Sequence, residues 1–310
     1  MVLDKVIKNK KKKVWYKTPV FGKTYAAYLY LIPAFIFLGI FTYYCLIYNF
    51  EISFYKWNGV SSDKVFVGLD NYKNLFKDPY FKLALRNTTI YFLITIPVQA
   101  AAGFTLAYIF TNRKLFGKGL TRSMVFLPNV MSLVVVSYVF KQMFDLNTGF
   151  INKMLTDVGL GNLTQDWMGN TKLALYSIIV VNIYTYIGFS MTLYVTGLLS
   201  IPNDVKEAAL IDGASRWRVI RHILFPLLAS THITVIILGI VGTLKTFDIV
   251  WLITQGGPAR KTEMLTTLLY RSYIIEYKAG YAAAIAVVVM LIALVLSVIN
   301  LKVQRRVTDY

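Results

Sequence analysis

The chain has 310 residues, 56% of them hydrophobic and 15% charged, with a formal charge of +18. That balance excludes an ordinary soluble domain, which needs more charge to cover its surface, and the lack of any nucleic-acid-binding motif sets aside the nucleic-acid partner that so basic a chain would otherwise suggest. One cysteine, Cys45, excludes a disulfide within the chain, and with two histidines it is too little for a soft-metal site.

Apolar blocks of about 20 residues can cross a hydrocarbon core of about 30 Å as helix. Six such spans are predicted, at 25–48, 88–111, 123–144, 173–199, 227–253 and 279–301. The predicted fold class is all-α, a polytopic membrane protein in the lipid bilayer. A basic leader, residues 1–24, precedes the first span, and its run Lys8, Lys10, Lys11, Lys12 and Lys13 suits anionic lipid. The first span is too long for the apolar core of a signal peptide and no small-x-small cleavage site follows it, so it is expected to stay in the mature protein. With the N-terminus inside, the inner segments 1–24, 112–122, 200–226 and 302–310 carry 19 Lys and Arg, against 12 in the longer outer segments. The positive-inside rule therefore predicts both termini in the cytoplasm.

In the first outer segment, Asp70-Asn71-Tyr72 and Asp78-Pro79 read as helix starts, with Asp78 as N-cap and Pro79 at the first helical position. Polar groups inside a span are costly, which makes them candidates for function. Span three offers Asn129, Ser132 and Ser137. Span four offers Asn182, Tyr184, Thr185, Tyr186 and Ser190, with Gly188 opening space, and span five offers Thr243, Lys245, Thr246 and Asp248. Neutral hydrogen-bonding groups beside aromatic rings suit a sugar, whose hydroxyls need partners and whose C–H faces stack on rings. The same groups also bond helices to one another, and the sequence leaves both uses open. Lys245 and Asp248 lie three apart on one predicted helical face, either as a local ion pair or as a proton or ion relay.

The inner segment 200–226 reads as two short helices with a break. Asp204 and Glu207 have capping-box spacing. Glu207, Ala208, Ala209, Leu210 and Ile211 are mostly good helix formers, and Gly213 can stop the helix in a left-handed conformation. Ser215 can cap a second helix, and Pro226 marks the junction with span five. The small residues Ala208, Ala209, Gly213 and Ala214 permit close approach of another protein, while an amphipathic connector would need none. The chain holds no phosphate-binding G-x-x-x-x-G-K-[ST] run, zinc-protease motif or nucleophile elbow, so it is not expected to be an enzyme.

The ordered pattern Glu207-Ala208-Ala209, Asp212-Gly213-Ala214, Ile223 and Pro226 resembles the EAA loop of binding-protein-dependent ABC importer permeases, with Phe225 where Leu usually precedes the proline. Phe66-Val67-Gly68-Leu69-Asp70-Asn71-Tyr72, Phe126-Leu127-Pro128, Gly197-Leu198, Ile201-Pro202, and Phe247-Asp248 followed by Gly256-Gly257-Pro258 are similar to the MalF-type sugar permeases of the maltose-importer family. The likeness runs from near Tyr28 to the C-terminus.

That resemblance implies a permease domain over 25–310 in the bacterial inner membrane. It implies a heterodimer with a second permease subunit, two cytoplasmic ATPase subunits and an extracellular sugar-binding protein. ATP and magnesium would sit on the ATPase, so no cofactor is expected on this chain. Glu207, Ala208, Ala209, Asp212 and Gly213 would couple to the ATPase. Spans four and five would meet the sugar, with Asn182, Tyr184, Tyr186, Ser190, Thr243, Thr246, Phe247 and Asp248 as the candidates. The rivals are an ion-coupled secondary transporter, which would call for inverted repeats that are not evident, and an ABC permease for a non-sugar solute, which would share the EAA loop.

Overall fold

A computed structural model describes residues 20–112 and 117–308. The lysine run of the predicted leader lies outside the described residues. The chain divides into two units between Glu51 and Ile52.

The described residues of the first unit form one apolar helix in three parts: α1 (Val20–Leu38), a π-helical stretch (Gly39–Tyr44) and α2 (Cys45–Ile52), whose last residue begins the second unit. Pro33 sits inside α1, where its missing N–H removes one helical bond. Aromatic pairs at four-residue spacing, Phe37 with Phe41 and Tyr44 with Tyr48, stack along the helix. Tyr30–Ile52 is long and apolar enough to cross a membrane.

The second unit opens with a two-stranded antiparallel ribbon, β1 (Tyr55–Lys56) against β2 (Val65–Phe66), with Tyr55 opposite Phe66. Next come α3 (Asp70–Lys77) and α4 (Pro79–Asn112), a helix of 34 residues. Asp78 caps α4 as predicted, its Oδ1 accepting from Tyr80 N at 2.8 Å. The helix therefore begins well before the predicted span at 88. After it come α5 (Lys118–Val130), α6 (Leu133–Met143), α7 (Phe150–Asp157) and α8 (Ala174–Ser200). The 200–226 segment holds α9 (Asn203–Ile211), α10 (Arg216–Val219), a π-helical turn (Ile220–Leu224) and α11 (Phe225–Leu227). Then come α12 (Ala229–Lys245), α13 (Asp248–Thr254), α14 (Leu265–Tyr270), a π-helical turn (Arg271–Ile275) and α15 (Ala279–Thr308).

Two predicted spans are not continuous helices. Span three is α5 and α6, set at 97°. Met131 is extended there, and Ser132 starts the new helix by accepting from Val134 N at 3.3 Å. Span five is interrupted twice. The Arg216–Leu227 stretch bends by 66° into α12, and α12 ends at Lys245 with Thr246 extended before α13 restarts at Asp248. Among the described residues, four helices are long and apolar enough to cross a membrane, or up to six spans if each bent pair counts as one.

In lipid, helices associate by close packing rather than by the hydrophobic effect, so small residues set where they meet. The parallel helices α4 and α8 touch at Gly103, where a Cβ would fall 2.8 Å from Ser190 Cβ and 3.0 Å from Met191 N. At one end of this pair Ala107, Phe110, Met191, Tyr194 and Leu198 form a core with Val219, Leu224 and Leu228. At the other end Tyr91, Ile178 and Ile179 pack with Val136 of α6 and Ile249, Val250 and Ile253 of α13. A third core joins α3, α4, α14 and α15 through Leu75, Phe81, Leu265, Leu268 and Ile285.

The segment between α13 and α14 is tied down by buried polar groups. Glu263 is fully buried, and its Oε2 accepts from Arg260 Nε at 3.1 Å and Arg271 Nε at 3.0 Å. Asn87 of α4 donates to the carbonyls of Lys261 and Glu263, both at 2.8 Å. These bonds hold the Gly256-Gly257-Pro258 region beside the first turns of α4, and bonds between the Thr262 and Thr254 hydroxyls and from Arg271 to the Gln255 carbonyl anchor the end of α13.

Candidate functional site

Between the two cores of the α4–α8 pair lies a polar layer. Gln99 of α4 donates through Nε2 to Asn182 of α8, at 2.9 Å to Oδ1 and 3.3 Å to the main-chain oxygen. Both side chains are buried, and the bond satisfies groups that would be costly to leave bare. Beside this pair a cavity of about 470 Å³ is lined by Thr95 and Gln99 of α4, Asn129 of α5, α8, α12 and the break before α13. Non-helical backbone at membrane depth is tolerated where it lines a cavity or is buried in protein, and Thr246 does so here. Its hydroxyl bonds back to Gly242 O at 2.9 Å, and its carbonyl accepts from the Thr266 hydroxyl.

Seven of the eight sugar-contact candidates reach this cavity: Asn182, Tyr186, Ser190, Thr243, Thr246, Phe247 and Asp248. Tyr184 does not. Each helical residue turns by about 100°, so position 184 faces away from 182 and 186, and its ring packs edge-on against Phe140 with centroids 5.2 Å apart. Of the other polar residues, Asn129 lines the cavity, Thr185 bonds back to Val181 O at 2.7 Å, and Ser137 is buried in α6. Thr95 and Gln99 are the residues that sequence reasoning passed over, although they are polar groups in an apolar span by the same test.

Lys245 and Asp248 both line the cavity, but among the described residues no ion pair joins them. A local pair at this spacing needs one continuous helix. The helix stops at Lys245 and restarts at Asp248, so the three-residue spacing no longer puts them on one face.

The 200–226 segment presents a second surface. Its first helix starts at Asn203 with Pro202 in the N-cap position, so the Asp204–Glu207 capping box does not form. Asp204 instead lies in the first turn, where a negative charge suits the helix dipole. Gly213 is left-handed (φ +77°). The bonds Gly213 N to Leu210 O (3.1 Å) and Ala214 N to Ala209 O (3.0 Å) close the helix in a Schellman arrangement. Ser215 caps the next helix by accepting from Arg218 N at 3.3 Å. Glu207, Ala208, Asp212 and Gly213 are exposed, whereas Ala209 is buried among Leu198, Val219 and Leu224 and seats the helix against α8. Leu210, Ile211 and Trp217 are large apolar side chains left exposed on the same segment.

Residues 87–309 match the family described as binding-protein-dependent transport system inner membrane component. The chain is 37% identical to a Pyrococcus horikoshii protein named "Probable ABC transporter permease protein", over 86% of this chain and 91% of that one. It is 32% identical to the lactose transport system permease protein LacF of Rhizobium radiobacter, over 90% of this chain and 93% of that one. Its fold is shared with a chain of a bacterial alginate ABC transporter, crystallised with an alginate pentasaccharide-bound periplasmic protein, at a TM-score of 0.78 and 23% identity, covering 93% of this chain and 96% of that one. With the family matched over most of the chain, and with broken spans around a polar cavity, this protein belongs to the binding-protein-dependent transport system inner membrane components and is a multi-pass permease subunit.

Proposed function

We propose that the chain is one of two pore-forming permeases of an ATP-driven sugar importer in the bacterial inner membrane. The cavity carries this reading. Its neutral donors and acceptors, Gln99, Asn129, Asn182, Ser190 and Thr243, stand beside the rings of Tyr186 and Phe247. That is the chemistry a sugar needs, with hydroxyls bonded at the edge and C–H faces laid on rings. The lactose permease relative and the alginate transporter support a sugar as cargo and an extracellular binding protein as its source.

On this reading residues 25–310 are the permease domain, both termini are cytoplasmic, and the 200–226 segment is the coupling loop. The exposed Glu207, Ala208, Asp212 and Gly213, with Leu210, Ile211 and Trp217 around them, offer a surface for a cytoplasmic ATPase, which holds ATP and magnesium. A second permease subunit completes the pore. Ala209 ties that surface to α8, which carries five of the cavity-lining residues, so a displacement of the loop reaches the sugar. Transport then requires ATP to bind one conformation of the assembly more tightly than the other.

The test is uptake into proteoliposomes holding this chain, its second permease and its ATPase. Sugar uptake that needs both internal ATP and external binding protein is the expected result. Uptake driven by an ion gradient without ATP would point to Lys245 and Asp248 as a relay and contradict the proposal.

A further inference from the structure

The 66° bend between Arg216–Leu227 and α12 stands between the exposed loop and the cavity. A bend there allows the loop to swing while α12 stays still, unless a contact crosses it. His232, in the first turn of α12, supplies that contact. Its Nε2 lies 3.1 Å from the carbonyl oxygen of Phe225, seven residues back across the bend. Its Nδ1 lies 2.8 Å from the Tyr194 hydroxyl on α8. A carbonyl can only accept, so Nε2 carries the proton, and in the neutral ring Nδ1 accepts from Tyr194. One imidazole thus joins the end of the loop segment, α12 and α8.

Ring packing stiffens the joint. The Phe225 and His232 centroids are 4.3 Å apart, those of Tyr194 and His232 5.3 Å. Phe104 of α4 stands edge-on to Tyr194 at 5.7 Å and to Phe225 at 6.2 Å. Tyr194 is 1% exposed, and it lies one helical turn from Ser190 in the cavity wall.

We infer that Tyr194 and His232 are positioning residues that lock this bend, so that movement of the coupling loop is delivered to α8 and α12 together. The inference rests on the importer reading above. A loop free to hinge at Leu228 would absorb the work of ATP within itself, and hydrolysis would continue with little sugar moved.

The experiment compares ATP hydrolysis and sugar uptake in the same proteoliposomes, using the complete transporter with His232→Leu, Tyr194→Phe or His232→Gln. His232→Leu and Tyr194→Phe are expected to leave complex yield and ATP hydrolysis within about twofold of the unaltered protein, while ATP consumed per sugar rises, by about tenfold for His232→Leu, as loss of a modest coupling free energy predicts. His232→Gln keeps an amide that can donate to Phe225 O and accept from Tyr194, and it is expected to restore most of the coupling. If His232→Leu fails to assemble, Tyr194→Phe decides, because it removes one oxygen and keeps the ring packing. An unchanged ratio of ATP to sugar in the assembled variants overturns the joint, even if both activities fall in proportion. If the unaltered complex shows no ATP-driven uptake, the importer reading itself fails and the joint falls with it.

Discussion

At Gly213 the backbone, not crowding, constrains the residue: φ is +77°, and among the described residues none beyond its chain neighbours lies within 4 Å of an added Cβ. A side chain there costs about 1 kcal/mol of left-handed strain, which Asp bears better than most residues. Gly213→Asp is therefore expected to fold and reach the membrane, but with a charge on the proposed docking surface. Uptake assays should fall to near background at normal expression, and full uptake would remove this loop from the coupling path. Gln99 poses the opposite case, a buried amide whose loss leaves the Asn182 side chain without its partner. Gln99→Leu should cost about 1–3 kcal/mol of stability, read as a lower thermal midpoint, and should weaken sugar binding at the same time. These two residues also mark what was legible in the chain. Gly213, Ser215 and Asp78 act locally, through turns and caps, and the sequence predicts each correctly. The partnership of Gln99 with Asn182 spans 83 residues and depends on α4 lying beside α8, which no local pattern encodes.

The breaks were the part of the elements least visible in sequence. Spans three and five are continuous in hydropathy, so composition alone merges each into one helix. The 97° turn in span three is made by the extended Met131 and the Ser132 cap, both ordinary residues in an apolar run. The capping box at Asp204 and Glu207 fails for a similar reason, since Pro202 takes the N-cap position and the helix starts two residues early. The clearest test at this scale concerns the segment after α13. Glu263 is fully buried between two guanidinium groups that are each about one-fifth exposed, Arg260 at 23% and Arg271 at 21%. Removing one partner of such a set is costly, because the others stay desolvated. Glu263→Gln should lower stability by about 3 kcal/mol, measured as a fall in the thermal midpoint of the detergent-solubilised chain, with the sugar site losing affinity as α13 loosens. An unchanged midpoint would mean that the arginines find water on their exposed sides.

For the molecule as a whole, the number and class of spans follow from apolar length, and the family follows from the ordered motif at 207–226. The shape of the cavity does not, because it is assembled from α4, α5, α8, α12 and α13, elements far apart in the chain. Large apolar side chains remain exposed. Leu210, Ile211 and Trp217 stand out from the 200–226 segment, and α15 presents Leu291, Leu294, Val295 and Val298 along its apolar length. Lipid accounts for a face of that length, whereas under the proposed function the exposed side chains of the 200–226 segment meet a protein partner. The central claim is that this chain works only as one subunit of an ATP-driven assembly. The most direct measurement is a pull-down of the tagged chain from detergent-solubilised native membranes, with identification of the proteins that come with it. The account predicts recovery of a second permease and an ATPase. Recovery of the chain alone, active in liposomes for ion-coupled uptake, would contradict it.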